Sequence, residues 1–206
     1  MAASIEQRTE RKLDSEKAQR IVEAMRVTVG RYGAAAATFD RVAREAGVSR
    51  GLLHYYFGTK ERLLAETVRH DAALRMAQLE ERLSRAHSLD GIVEALVTQL
   101  EDYVHEDRDH QAVQFEMFSA SRRNDEVREQ LARLYAGVRA NVAQLLSEKD
   151  AAGVIELRAD PEAVASVLFA LGDGFELQFT AAPDWDSSAA LEAGIRTARF
   201  LLGAPE

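Results

Sequence analysis

Apolar residues recur at helical spacing along almost the whole chain, and prolines are nearly absent. Three prolines occur, at positions 161, 183 and 205. Apolar side chains three and four residues apart share one face of an α-helix, whereas a proline within a helix removes a hydrogen bond and crowds the preceding turn. Runs that alternate apolar and polar residues, as strands do, are missing. The sequence therefore predicts an all-α fold.

Capping residues and glycines indicate where the helices begin and end. Thr38, Ser49 and Thr59 can each cap a helix, and Asp160 before Pro161 pairs an N-cap with proline at the first helical position. Glycine readily adopts the left-handed conformation that ends many helices. Helices are therefore predicted to end at Gly33, Gly47, Gly153 and Gly203. Helices are predicted at about 15–31, 39–46, 50–56, 59–86, 89–106, 109–121, 125–151, 161–181 and 187–202.

Charge divides the chain into two parts. Residues 1–60 hold eleven basic and seven acidic residues, a net charge of +4, whereas the remainder has a net charge of −12. This asymmetry favours contact between the first part alone and a polyanion, although solvated helices also carry mixed charge. We predict a first domain at 1–58 and a second at 59–206, joined directly from helix to helix without a flexible linker.

Several classes of protein are disfavoured. Cysteine is absent, no apolar run approaches the roughly 20 residues that cross a bilayer, and the first 17 residues lack the apolar core of a secretory signal. A cytoplasmic protein without membrane contact is therefore predicted. The histidines form no HxxxH or HExxH pair, and the closest approach to metal spacing, His105 and His110 near Asp107 and Asp109, is predicted to lie at a solvated helix junction.

The segment TFDRVAREAGVSRGLLHYYFGTKERLL, residues 38–64, carries the most specific pattern. A capped helix ends at a glycine, and a second cap follows two residues later, which is the layout of a helix-turn-helix. On the second helix Leu53 and Phe57 are predicted to face the core and Tyr56 its edge. Gly51 and Tyr55 point outward, and Leu52 and His54 flank them. An outward tyrosine beside a leucine is a poor solvent face but a suitable contact surface.

This segment resembles the DNA-binding signature of the TetR family of bacterial transcriptional regulators, over about residues 17–68. The resemblance implies a homodimer with three N-terminal helices that bind DNA and about six C-terminal helices that form a ligand pocket. It implies a regulator, usually a repressor, that a small molecule releases from a palindromic operator. His54 departs from the family, which commonly has tyrosine there. The positions at which the family contacts DNA are Thr38, Arg50, Gly51, Leu52, His54, Tyr55 and Lys60.

The chemistry of these side chains suggests a role for each. Lys60, at the start of a helix, favours phosphate, and the hydroxyl groups of Thr38 and Tyr55 can bind phosphate oxygens. Arg50 is the candidate for reading guanine, and Leu52 can pack on a thymine methyl group. A basic arm of Arg8, Arg11 and Lys12 is a further candidate for the DNA backbone or minor groove.

The C-terminal part is predicted to pair two chains and to bind the ligand. Apolar residues of the last two helices spread more widely than one core face requires, which predicts a two-fold four-helix interface, with a monomeric bundle as the alternative. The long helix from Thr59 to about Ala86 is the predicted lever between ligand and DNA. Polar groups among aromatics indicate a pocket, and the excess of acids hints at a cationic or hydrogen-bonding ligand. The candidate pocket residues are Tyr103, Phe115, Glu116, Phe118, Tyr135, Phe169, Asp173, Phe175, Glu176 and Phe179.

Two other functions are compatible with parts of the sequence. The carboxylates of Glu116, Asp173 and Glu176 could perform acid–base chemistry, but no nucleophile with an attached base and no phosphate-binding glycine loop accompanies them. No enzymatic activity, metal or cofactor is therefore predicted. A helical protein that binds small molecules without regulating DNA remains the alternative.

Overall fold

The computed structural model describes residues 16–106 and 108–203, and within these ranges every regular element is a helix. The all-α prediction is confirmed. None of the described helices is long and apolar enough to cross a membrane. The helices are α1 (Glu16–Ala36), α2 (Phe39–Ala46), α3 (Arg50–Tyr56), α4 (Lys60–Arg85), α5 (Leu89–Glu106), α6 (Arg108–Ser121), α7 (Asp125–Ala151), α8 (Pro161–Ala181) and α9 (Ser188–Leu201).

The helix limits agree with the sequence prediction except at the end of α1. Gly33 has φ 74° and ψ 160°, a conformation open to glycine but not a left-handed helix end. The chain is kinked there and resumes a helical turn up to Ala36, so the predicted stop at Gly33 was wrong in detail. The prediction of left-handed glycines after α2 and α7 is confirmed, since Gly47 has φ 65° and Gly153 has φ 70°.

One compact unit comprises the described residues up to 73 together with residues 108–133. Its core is built on α1, which packs against α2 and α6. The apolar stripe predicted for the first helix is buried in full: Ala18, Ile21, Val22, Met25 and Val29 are each at most 5% exposed. The packing of α6 on α1 joins segments more than 70 residues apart, and no local pattern predicted it.

The second compact unit comprises the described residues from 74 to 106 and from 134 to 203. Leu83, Ile92, Leu146, Val164 and Leu202 are buried at its centre, where α5 packs against α8 and α9. The segment before α8 is bonded to the end of α9, since the N–H groups of residues 156 and 158 donate to the carbonyls of residues 202 and 201. The predicted domain boundary near residue 58 falls inside the first unit, and α4 contributes residues to both units.

Candidate nucleic-acid interface and ligand site

The turn between α2 and α3 is built by local interactions. Thr38 has extended backbone, and its Oγ1 accepts a hydrogen bond from the N–H of Arg41 at 3.3 Å. Gly47 is left-handed, and its N–H donates to the Arg44 carbonyl at 3.2 Å, which ends α2. Ser49 has the extended backbone of an N-cap, but its side chain makes no capping hydrogen bond. Ser49 is therefore an N-cap by position alone, and the predicted helix-turn-helix layout is present.

The predicted faces of α3 are confirmed. Leu53 is fully buried and Phe57 is 5% exposed, so both anchor α3 in the core. Gly51, His54 and Tyr55 are exposed, with Tyr55 at 64%, and Leu52 is half-buried beside them. The surface from Thr38 to Lys60 therefore presents the side chains that the resemblance assigns to DNA. Their contact with DNA stays a prediction.

His54 has two partners within the protein that sequence reasoning missed. Its ring packs edge-on against Phe39, with centroids 4.7 Å apart, and its Nδ1 lies 3.2 Å from the carbonyl oxygen of Gly58. When Nδ1 carries the proton it donates to that carbonyl, and Nε2 is then the acceptor. The imidazole thus holds the end of α3 to the start of α2, a task that needs no DNA.

The two principal cationic candidates also have partners within the protein. Arg50 Nη1 donates to Asp40 Oδ2 at 3.2 Å, and Lys60 Nζ donates to the carbonyl oxygen of Ala34 at the end of α1. An ammonium has three donors and a guanidinium five, so neither contact exhausts the side chain. Local spacing gave no signal of either contact, because the partners lie 10 and 26 residues apart.

Neighbouring arginines are held in place as well. The guanidinium of Arg41 lies over the ring of Tyr32, 4.6 Å from its centroid, and Arg44 Nε donates to the Asp40 carbonyl at 3.3 Å. Stacking on an exposed aromatic ring orders an arginine without neutralising it. The predicted basic arm of Arg8, Arg11 and Lys12 lies outside the described residues.

The first unit carries three of the candidate ligand residues, all on α6. Phe115 and Glu116 are half-buried, and Phe118 is 40% exposed. The apolar residues that α6 buries, among its described side chains, are Val113 and Met117. These aromatic side chains therefore lie at the margin of the core of this unit, and their contact with a ligand stays a prediction.

The second unit gathers an aromatic row at the end of α8. The rings of Phe175 and Phe179 are stacked with their centroids 6.1 Å apart. The ring centroid of Trp185 lies 5.9 Å from that of Phe179. Phe175 also packs on Gly194 of α9, where an added Cβ would lie 3.0 Å from its ring. Phe169 instead packs against the hydrophobic core of this unit.

Acidic residues accompany the aromatic row. Glu176 is buried, with 1% of its surface exposed. Tyr135 Oη donates to Asp173 Oδ2 at 3.5 Å. Burial raises the pKa of Asp173, and the hydrogen bond from Tyr135 opposes part of that rise. The charged form of Asp173 is therefore less favourable here than in water.

One ligand candidate and the residues closest to metal-binding spacing have side chains outside the described set. They are Tyr103, His105, Asp107, Asp109 and His110. Among the described side chains, no group of three His, Cys, Asp or Glu residues could hold a metal ion.

The outer faces of α8 and α9 carry small and apolar residues. Val167 and Leu177 on α8 are 42% and 55% exposed, and Phe200 on α9 is 44% exposed. Exposed alanines continue both faces, at positions 163, 170, 189 and 193, and Gly174 has open space where a Cβ would be. Leu201, which belonged to the predicted interface helix, packs against the core instead.

Two family models match separate parts of the chain. Residues 21–67 match the family model described as bacterial regulatory proteins, tetR family, and residues 89–199 match BetI-type transcriptional repressor, C-terminal. The transcriptional regulator BetI of Agrobacterium fabrum is 30% identical over 188 residues, which is 80% of this chain and 88% of that protein.

Solved structures share the fold at low sequence identity. FadR of Bacillus subtilis, solved with stearoyl-CoA, has a TM-score of 0.72 at 16% identity and covers 91% of this chain and 99% of its own. A transcriptional regulator from Saccharomonospora viridis, solved with choline, has a TM-score of 0.67 at 21% identity and covers 88% and 93%.

Proposed function

The chain belongs to the TetR family of transcriptional regulators, and we propose that it acts as a homodimeric repressor released from operator DNA by a quaternary ammonium compound. DNA binding and response to a ligand are inferred from membership of this family. The observation that carries the ligand class is the aromatic row of Phe175, Phe179 and Trp185, which begins on α8, the helix that also carries Asp173 and Glu176. Chromosomal DNA lies in the cytoplasm, so that is the proposed place of action.

A cation suits the aromatic row on electrostatic grounds. The faces of aromatic rings attract cations within about 6 Å of the ring centroid, and cages of such rings bind quaternary ammonium groups. Burial raises the pKa of Asp173, so its charged form is disfavoured until a positive charge comes near. The regulator of Saccharomonospora viridis was solved with choline, which carries such a group.

A polyanionic ligand suits this chain less well. FadR of Bacillus subtilis was solved with stearoyl-CoA, which bears several phosphate charges. Residues 61–206 of this chain have a net charge of −12, which repels a polyanion. The charge balance therefore favours the cationic class.

The proposed lever is α4. Its 26 residues span about 39 Å at about 1.5 Å per residue, with Lys60 in the first turn. Near the other end, Arg82 donates to Gln99 Oε1 at 2.6 Å and to the carboxylate of Asp102, which fixes α4 to α5. A ligand that prefers the arrangement unsuited to DNA lowers operator affinity, typically by about 5- to 150-fold.

The proposed homodimer uses the outer faces of α8 and α9. Small residues allow two helices to approach closely, and Val167, Leu177 and Phe200 supply apolar surface for burial. Leu177→Glu should give a folded monomer, because an unpaired charge within a dry interface costs about 3–5 kcal/mol. Leu74→Glu is the matched control, since Leu74 on α4 is 54% exposed, as Leu177 is 55%.

Sedimentation at micromolar concentration separates these outcomes. The wild type and Leu74→Glu should sediment as dimers, and Leu177→Glu should sediment as a monomer with unchanged helix content. A Leu177→Glu dimer would place the interface elsewhere.

The ligand class is tested by titrating choline, with and without operator. Choline should bind and 3,3-dimethyl-1-butanol, its neutral carbon analogue, should not, because only the charge differs. Phe179→Leu keeps apolar volume but removes the aromatic face, so it should weaken choline binding. By linkage, operator must weaken choline binding by the factor by which choline weakens operator binding. Equal choline affinity in both titrations would rule out release by this compound.

A further inference from the structure

The pair Asp40–Arg50 joins the two helices of the helix-turn-helix. Asp40 lies in the first turn of α2, and Arg50 is the first residue of α3. Arg50 Nη1 lies 3.2 Å from Oδ2 and 3.4 Å from Oδ1 of Asp40. The side chains of Arg50 and Asp40 are 59% and 61% exposed, so the pair lies on the protein surface. Arg50 belongs to the residues that contact operator DNA in the proposed function.

We infer that Asp40 is a specificity-determining residue, whose carboxylate holds the Arg50 guanidinium in the orientation that reads guanine. The inference rests on the proposed operator binding. The carboxylate engages one nitrogen, Nη1. Nε and Nη2 remain available, and together they can form a fork that matches O6 and N7 of guanine. Both partners can therefore bind the guanidinium at once.

The carboxylate of Asp40 also disfavours contacts between Arg50 and DNA phosphates, which carry no sequence information. Long basic side chains bind phosphates of any sequence, and Asp40 repels phosphate while it occupies part of Arg50. Asp40 thus lowers the affinity for arbitrary duplex and reserves Arg50 for a base. An exposed ion pair contributes little to stability in water, but it strengthens when DNA excludes water from around it.

The same geometry argues against a purely structural role. Asp40 also accepts a hydrogen bond from Arg44, but through its backbone carbonyl, which any residue supplies. The side chain of Asp40 makes its described contacts with Arg50 alone. Replacing the carboxylate should therefore leave the helix-turn-helix folded and alter only the behaviour of Arg50.

The experiment compares Asp40→Ala, Arg50→Ala and the double variant with the wild type. Glu45→Ala is the matched control, because Glu45 lies on the same helix and forms its ion pair with Arg31, at 3.9 Å, instead of with Arg50. The operator comes from selection of bound sequences from a random pool. The guanine is located as the base pair at which Arg50→Ala loses its preference. Affinity is then measured for the operator, for the operator with that base pair replaced, and for random duplex.

Asp40→Ala should reduce discrimination at that base pair by about fivefold per half-site, the lower end of what a bidentate contact provides, and should bind random duplex more tightly. Glu45→Ala should tighten binding to all duplexes alike, and thermal unfolding of both variants should match the wild type. In the Arg50→Ala background, removal of Asp40 should have no further effect on discrimination.

Three results would overturn the inference. One is unchanged discrimination in Asp40→Ala. Another is a loss that persists in the Arg50→Ala background, since Asp40 would then contact a base itself. The last is a wild type that binds its selected sequences no more tightly than random duplex, and this result alone would also overturn the proposed function.

Discussion

Lys60→Ala tests two roles of one ammonium group. In the free protein Lys60 Nζ donates to the carbonyl of Ala34, which ties the start of α4 to the end of α1. By resemblance it also contacts a DNA phosphate. The variant should therefore lose both stability and affinity. The two losses can be separated, because only the phosphate contact depends on salt through counterion release.

The magnitudes follow from the structure and the proposed dimer. A hydrogen bond from a half-buried ammonium contributes about 1 kcal/mol, which lowers the unfolding midpoint by about 2–4 °C in a chain of this size. Each protomer brings one Lys60, so a dimer loses two phosphate contacts and the slope of log affinity against log salt falls by about 1.8. The affinity gap between wild type and variant should then narrow about 12-fold as salt rises from about 50 to 200 mM, on random and operator duplex alike.

The chain contains a matched control in Lys149→Ala. Lys149 Nζ donates to the carbonyl of Ala86 at 2.8 Å, so it makes the same kind of bond in the second unit, on a side chain that is also half-buried. Lys149→Ala should have a lower unfolding midpoint than the wild type but the same slope of log DNA affinity against log salt. An unchanged slope in Lys60→Ala would refute the phosphate role. A slope that falls equally in Lys149→Ala would show that weakened folding, not a lost contact, causes the effect.

Two further predictions concern the second unit. Asp173→Asn should raise the unfolding midpoint more at neutral than at acidic pH. The pKa of Asp173 is raised in the folded protein, so the wild-type carboxyl lowers the stability of the fold as the pH rises from the ordinary carboxyl pKa through the raised pKa. Melting curves of both proteins across that pH range check this. A larger increase of the midpoint at acidic pH would contradict it. Gly194→Ala should weaken choline binding in calorimetry, because the new Cβ would lie 3.0 and 3.3 Å from the ring of Phe175. Gly137→Ala, with nothing within 4 Å of its Cβ, should leave binding unchanged and stabilise α7 by about 1 kcal/mol, and equal affinities in the two variants would refute the role of the ring.

Several features of the fold were predictable because their causes are local. Asp160 caps α8 by accepting hydrogen bonds from the N–H groups of residues 162 and 163, and Pro161 occupies the first helical position. Gly47 takes the left-handed conformation that ends α2, and four residues of spacing bury both Leu53 and Phe57. Each of these results depends on residues within one or two helical turns, so the order of the amino acids carries the information.

The candidate site was predictable only in part. The exposed face of α3 follows from helical spacing, but the partners of its charged side chains do not. Arg50 meets Asp40 across the turn, and Lys60 meets a carbonyl 26 residues earlier. The aromatic row could be suspected from composition, but the place of Trp185 beside Phe179 depends on the path of the loop after α8.

The sequence by itself determined where the helices of this protein begin and end, apart from the end of α1, which faces α1 and α3 bury, and that the surface around α3 is basic and aromatic. Hydrogen bonds within a turn and the conformational freedom of glycine act over a few residues, and both are encoded at each position. Only the tertiary structure decided that α6 packs on α1 and that Leu201 joins the core. Those outcomes depend on the competition among all apolar surfaces for burial, which is settled when segments distant along the chain come together.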